Sequence, residues 1–239
     1  MRQKDGMQKT SIATKSNHLV QASYKLTLNE QRIMLMAISK VYPKKPMASQ
    51  RVQRITALEY SEMFGVTAKN AYRDIKQASD RLLVRLIKTY DKDPKKEGYY
   101  KFQWASKVYY SKKEGFVDIT FHEDISPYLT MLSSGFYTKI EVNALSGVRS
   151  TYAIRMYELL KQYKDTGERY ISMANFRKWC ELEGKYKVYS DLKKRVVNPA
   201  IKELEDKANL IISWDEVKKG RKVVGFDFMF EENKQLKLF

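Results

Sequence analysis

One pattern is written twice in this chain. The first copy, within residues 55–85, reads I-T-x3-Y-x2-M-F, with Ile55, Thr56, Tyr60, Met63 and Phe64. The second, within residues 171–209, reads I-S-x3-F-x2-W-C, with Ile171, Ser172, Phe176, Trp179 and Cys180. An aromatic, an acid, an aliphatic and a lysine follow each time: Tyr72, Asp74, Ile75 and Lys76, then Tyr189, Asp191, Leu192 and Lys193. From Ile55 to Ile171 the offset is 116, and from Tyr72 to Tyr189 it is 117. A repeat this long is a duplicated domain and not one turn of a solenoid.

The length of 239 residues suits two ordinary domains, and 43% hydrophobic residues can fill their cores. Net charge is +17, spread over both copies: residues 1–145 carry 25 Lys+Arg against 14 Asp+Glu, the remainder 20 against 14. A polyanion lying across both domains calls for that distribution. No apolar run approaches the ~18 residues of a membrane span, and no signal-peptide core follows Met1. A cytoplasmic protein with no membrane partner is expected. The one cysteine, Cys180, falls in an apolar helical pattern and reads as a small buried hydrophobe.

Residues 1–16 are polar, basic and aperiodic, and read as a flexible arm. Apolar positions at helical spacing predict a helix over 28–41, stopped by the turn at Pro43 and Pro46. A short strand at 54–56 runs into a capping box, Thr56 and Glu59, whose side chains satisfy backbone N–H groups at a helix start. That helix ends at Gly65 and a second runs from Thr67 to about Leu86. Strands follow at 86–90, 102–110 and 116–121, with a lysine-rich hairpin loop at 91–98. The second half repeats the order: helix 149–163, strand 169–172, helix 174–182, helix 188–208, then strands 210–215 and 223–230 around a basic turn. Pro199 should bend the long helix, since it lacks an N–H and crowds the preceding turn. This order makes an α+β chain of two tandem winged-helix domains, each a helix-turn-helix with a β-hairpin wing. The expected division is arm 1–16, first domain 17–145, second domain 146–230 and tail 231–239.

On a helical wheel Ala71, Ile75, Ser79, Leu82 and Leu86 share one face of the first long helix. Lys69, Asn70, Arg73, Gln77 and Arg81 form its polar side. Adding 117 places Lys187, Ser190, Lys194 and Asn198, flanked by Asp191 and Arg195, opposite Leu192, Val196, Ala200 and Leu204; Tyr189 and Lys193 are read as further DNA contacts. Arg and Lys suit guanine edges, Asn and Gln suit adenine, and a helix fits the major groove of DNA. An ordinary solvated face would look the same on one helix; its recurrence beside a basic hairpin favours double-stranded DNA contact. The hairpin tips, with Lys218, Lys219, Arg221 and Lys222 in one and Lys92, Lys95 and Lys96 in the other, would meet phosphate.

Enzymatic chemistry finds no support. No G-x4-G-K-[ST] loop exists, and His18, His122 and Cys180 are too few for a Cys/His metal site. No catalytic residue, cofactor or metal is expected.

Several separated motifs, in order, resemble one family. Residues 17–33 (NHLVQASYKLTLNEQRI), 152–163 (YAIRMYELLKQY) and 191–204 (DLKKRVVNPAIKEL) are similar to signatures of the iteron-binding plasmid replication initiators of the Rep_3 type. The resemblance spans about residues 17–230. It implies two winged-helix domains that bind origin direct repeats as a monomer, with most base reading in the second domain. It also implies a homodimer that uses the first domain, sits on an inverted repeat and represses its own gene. Host replication initiator and helicase are the implied partners. The ending Gln235, Leu236, Lys237, Leu238, Phe239 resembles the Q-L-x-L-F peptide that engages the polymerase sliding clamp. Two other readings compete: a winged-helix transcription repressor that binds only a palindrome, and a relaxase or primase.

Overall fold

Thr56 and Ser172 each end a short strand and start a helix, and both winged helices grow outward from those points. The computed structural model describes residues 11–91, 98–133 and 135–233. The first domain contains β1 (Ile12–Ser16), α1 (Asn17–Val20), β2 (Ser23–Tyr24), α2 (Leu28–Ser39), β3 (Val52–Thr56), α3 (Ala57–Phe64) and α4 (Ala68–Leu82). It continues through β4 (Leu86–Tyr90), β5 (Tyr99–Gln103), β6 (Ala105–Ser111), β7 (Phe116–Phe121), α5 (Ser126–Leu129) and β8 (Tyr137–Glu141). The second contains α6 (Thr151–Lys161), β9 (Glu168–Ser172), α7 (Met173–Trp179), α8 (Tyr189–Leu192), α9 (Asn198–Lys207), β10 (Leu210–Lys219) and β11 (Lys222–Glu232).

Local chemistry accounts for the helix starts. Thr56 accepts from the Glu59 N–H while Glu59 accepts from the Thr56 N–H, closing the expected capping box. Ser172 accepts from the Asn175 N–H at 3.2 Å, but Asn175 offers no carboxylate in return. Gly65 ends α3 at φ +62°, a left-handed conformation that costs glycine little.

The two sheets share an order. β3 pairs with β7 and β7 with β6; β9 pairs with β11 and β11 with β10. Ile55 lies opposite Val117 and Ile171 opposite Phe226, so the repeat noted in sequence is also a repeat in register. The wing of the first domain is therefore β6–β7, with its turn at Lys112 and Lys113. The expectation that the 91–98 loop is the wing tip is corrected. That loop joins β4 to β5 in a separate sheet, β2-β4-β5, that has no counterpart in the second domain. The expected single strand 102–110 breaks at the fully buried Trp104, because β5 pairs with β4 whereas β6 pairs with β7. Lys92, Lys95 and Lys96 lie outside the described residues.

The flexible arm also needs correction. Residues 12–16 form β1, antiparallel to β8, with Ala13 and Lys15 buried. Its polar composition misled because Lys15 finds a buried carboxylate far along the chain. The rest of the arm, 1–10, lies outside the described residues, as does the tail from 234. At the other end β11 runs on to Glu232, beyond the expected boundary at 230.

A buried charge cluster joins the domains. Lys15 of β1 donates to Glu158 of α6 at 2.6 Å, and the Tyr24 hydroxyl donates to the same carboxylate at 2.8 Å. Arg155 pairs with Glu158 and donates to the carbonyls of Val20 at 2.8 Å, Ala22 at 3.0 Å and Trp179 at 3.1 Å. Burial alone would raise the Glu158 carboxyl, but Lys15 and Arg155 bring it below the ordinary range. Burial also pushes the Cys180 thiol up to about 11, which leaves it inert.

Candidate nucleic-acid interface

The long helix of the second domain carries an irregularity that its sequence states only as a proline. Between α8 and α9 residues Lys193–Val197 form a π-helical turn, closed by the Asn198 N–H donating to the Lys193 carbonyl. Pro199 has no N–H to offer the carbonyl four residues back, and the wide turn just before it absorbs the defect. The turn inserts one residue. Buried positions 75, 78, 79 and 82 in α4 become 192, 196, 197 and 200 in the second domain. The offset of 117 therefore holds only to about residue 193, and Gln77 corresponds to Arg195 beyond it.

The polar faces are where the sequence placed them. Lys69, Arg73, Gln77 and Arg81 are exposed on α4 and Asn70 is half-buried, while Ala71, Ile75, Ser79 and Leu82 are buried. Leu86 departs from that apolar face: it begins β4 and is exposed. In the second domain Ser190, Lys194, Arg195 and Asn198 are exposed opposite Leu192, Val196, Ala200 and Leu204. Lys187 precedes α8, in a loop that Arg177 holds by donating to the carbonyls of Lys185 and Tyr186, both at 2.7 Å. This loop is longer than the Gly65–Thr67 turn, so α8 begins about one turn later than the repeat implies. Local ion pairs are weak: Arg73 to Asp74 at 3.4 Å, Arg195 to Asp191 at 3.8 Å, Arg81 to Glu30 at 3.9 Å. Side chains held so loosely in water remain available to a phosphate or a base edge.

Tyr189 and Lys193, read as DNA contacts, are engaged elsewhere. The Tyr189 hydroxyl and the Lys193 ammonium each donate to Glu216 Oε1 of β10 at 2.7 Å, and Lys218 approaches the other oxygen at 3.2 Å. Hydrogen bonds from Lys193 and Tyr189 lower the Glu216 carboxyl to about 2. The corresponding positions of the first domain meet in the same way. Tyr72 contacts Tyr110 with ring centroids 5.3 Å apart, and Lys76 lies 5.2 Å from the Tyr110 ring. Register equates Tyr110 with Glu216, since they sit opposite Val117 and Phe226. The repeated aromatic and lysine thus fasten each long helix to its own wing.

Sequence reasoning missed Glu216, and it missed Lys112 and Lys113 as the first wing tip. The sign of the first was available: an acid two residues before the basic run that starts at Lys218. At the second wing Lys219 pairs with Lys222 around a two-residue Gly220–Arg221 turn, with Gly220 at φ +62°. Lys218, Lys219, Arg221 and Lys222 are exposed there. Among the described residues no group of three or more His, Cys, Asp or Glu side chains could hold a metal ion, and no helix is long and apolar enough to cross a membrane.

Comparison with known proteins adds to this geometry. Residues 12–161 match the family model described as initiator replication protein, WH1, and residues 172–230 match initiator Rep protein, WH2. The first match runs through α6, which packs on both domains. A replication initiation protein of Escherichia coli is 27% identical over 236 residues, covering 95% of this chain and 72% of that protein. A PI protein of Escherichia coli is 25% identical over 266 residues, covering 96% and 86%. A crystal structure of the Pi initiator protein in complex with iteron DNA superposes with a TM-score of 0.82 at 22% identity, over 95% of this chain and all of that one.

Proposed function

We propose that this chain, which belongs to the initiator replication protein family, starts replication of a plasmid or plasmid-like circle by binding repeated double-stranded DNA sites with both winged helices. One observation carries this reading: within a single chain, two long helices are each fastened to a wing and each leave an exposed basic and amide face. Ser190, Lys194, Arg195 and Asn198 read base edges in one major groove, and Arg73, Gln77 and Arg81 face the next. Lys187 and the tip residues Lys218, Lys219, Arg221 and Lys222 grip phosphate, as do Lys69 and Asn70 at the start of α4. Tyr189 and Lys193 hold the reading helix through Glu216.

The protein acts in the bacterial cytoplasm without enzymatic chemistry or cofactor. It binds origin direct repeats as a monomer, represses its own gene as a dimer, and recruits the host initiator and helicase. Gln235, Leu236, Leu238 and Phe239, outside the described residues, engage the sliding clamp. Deleting residues 235–239 should then lower plasmid copy number while leaving DNA affinity unchanged.

The deciding experiment selects bound sequences from random duplex DNA with dilute protein near physiological salt. An asymmetric site of about 20 base pairs, two successive major grooves long, supports the monomeric initiator. A short palindrome alone would make the chain a repressor, and no enriched sequence would reduce it to a salt-sensitive, non-specific binder.

A further inference from the structure

A winged helix uses the inner face of its sheet for the core and leaves the outer face over. In the first domain the central rung of that outer face is Tyr109–Asp118–Arg54. Arg54 donates to both oxygens of Asp118 at 2.8 Å and lies 3.5 Å over the Phe116 ring, so the rung is neutralised and covered. The same rung of the second domain is Asp215–Asp227–Tyr170. Arginine has become tyrosine, and a second acid stands directly across from the first. Like charges facing each other across a ladder are destabilising.

Among the described residues no cation neutralises this pair of acids, and no ion pair involves Glu168 or Glu231 on the neighbouring rungs. Between these carboxylates Tyr170, Ile211 and Met229 are 54%, 48% and 51% exposed. Tyr170 rests on Gly225, where an added Cβ would come within 2.5 Å of its ring. A shallow groove of about 540 Å³ passes Ile211, Ser213, Met229 and Glu231 toward Gly167. The inner side of the same sheet packs toward the reading helix, Phe226 against Tyr189 at 6.4 Å, so this face points away from α8.

We infer that the outer face of β9, β10 and β11 is a docking surface for a partner protein that presents lysines or arginines beside large apolar side chains. Asp215, Asp227, Glu168 and Glu231, without an ion pair among the described residues, repel DNA and attract a cationic surface. A basic partner relieves the Asp215–Asp227 repulsion, while its apolar side chains cover Tyr170, Ile211 and Met229. The surface is independent of the DNA-reading face.

The test titrates the full chain, without DNA, into a fluorescein-labelled synthetic peptide of alternating lysine and leucine. Lysine–serine and glutamate–leucine peptides serve as controls. The lysine–leucine peptide should bind at least about tenfold more tightly than either control, because charge and apolar cover are both needed. Tyr170→Arg, which copies the first domain's solution, should weaken that binding about tenfold without lowering the thermal midpoint. Asp215→Asn with Asp227→Asn should do the same and keeps Tyr170 in place. Binding undiminished by both variants, or equal affinity for the lysine–serine peptide, would overturn the assignment. Self-association in sedimentation that Tyr170→Arg abolishes would overturn it too, making the occupant a second copy of this chain.

Discussion

The two winged helices share element order, sheet order and register, yet they solve three local problems differently. The first fastens α4 to its wing with two tyrosine rings in tilted contact and a lysine over a ring; the second uses a carboxylate shared by Tyr189, Lys193 and Lys218. The first starts its short helix with a reciprocal capping box, the second with a one-way serine cap. The first has a regular long helix of 15 residues, whereas the second interrupts its own with a π turn. A duplicated fold therefore keeps its geometry while the chemistry at each equivalent position drifts. What persists is the contact between each long helix and its own wing.

The harshest way to break the pairing of the domains lies between them. Glu158→Ala would leave Lys15 and Arg155 buried without their carboxylate, and should cost about 3–5 kcal/mol in denaturant unfolding. If the cost stayed below about 1 kcal/mol, solvent would have to reach that junction.

Next in size is a comparison of the reading faces. Lys194→Ala with Arg195→Ala should remove about 2–4 kcal/mol of specific DNA affinity, measured by competition against random duplex. Arg73→Ala with Gln77→Ala should remove less, if the second domain supplies most base reading. Equal losses would make the two domains equivalent readers.

The caps offer a smaller contrast. Thr56→Ala should destabilise by about 1–2 kcal/mol and Ser172→Ala by about 0.5–1 kcal/mol, because only the first cap also positions an acid at the third helical residue. Unfolding midpoints of the two variants would check the order.

The smallest effect distinguishes the fastenings by pH. The folded Glu216 carboxyl lies at about 2, below its unfolded value. Its contribution is complete above the unfolded value and disappears as pH falls through about 2; the tyrosine fastening of the first domain has no such group. Trp214, 5.0 Å from the Lys193 ammonium, should report this loss by fluorescence. Glu216→Gln should abolish the transition and cost about 0.5–1 kcal/mol at neutral pH, solvent screening included.

Much of this was legible in the residues. Apolar spacing marked the faces of both long helices, and Thr56, Glu59, Gly65 and Ser172 mark helix ends by chemistry that acts within one turn. The wing of the first domain was not legible, because the 91–98 and 112–115 turns are both lysine-rich and only strand pairing distinguishes them. Lys15 read as part of a solvated arm because its partner Glu158 is 143 positions away. Tyr189 and Lys193 read as DNA contacts because a side chain that donates to phosphate donates equally well to Glu216.

The sequence alone determined the duplication, the helix termini, the basic balance and the family resemblance, all of which depend on neighbours along the chain or on totals. Tertiary structure decided which hairpin is a wing, where the one-residue insertion enters the second long helix, and which polar groups fasten that helix to its wing. Those outcomes depend on strand register and on pairs brought together from distant positions, and a carboxylate's partner is set by where the fold puts it.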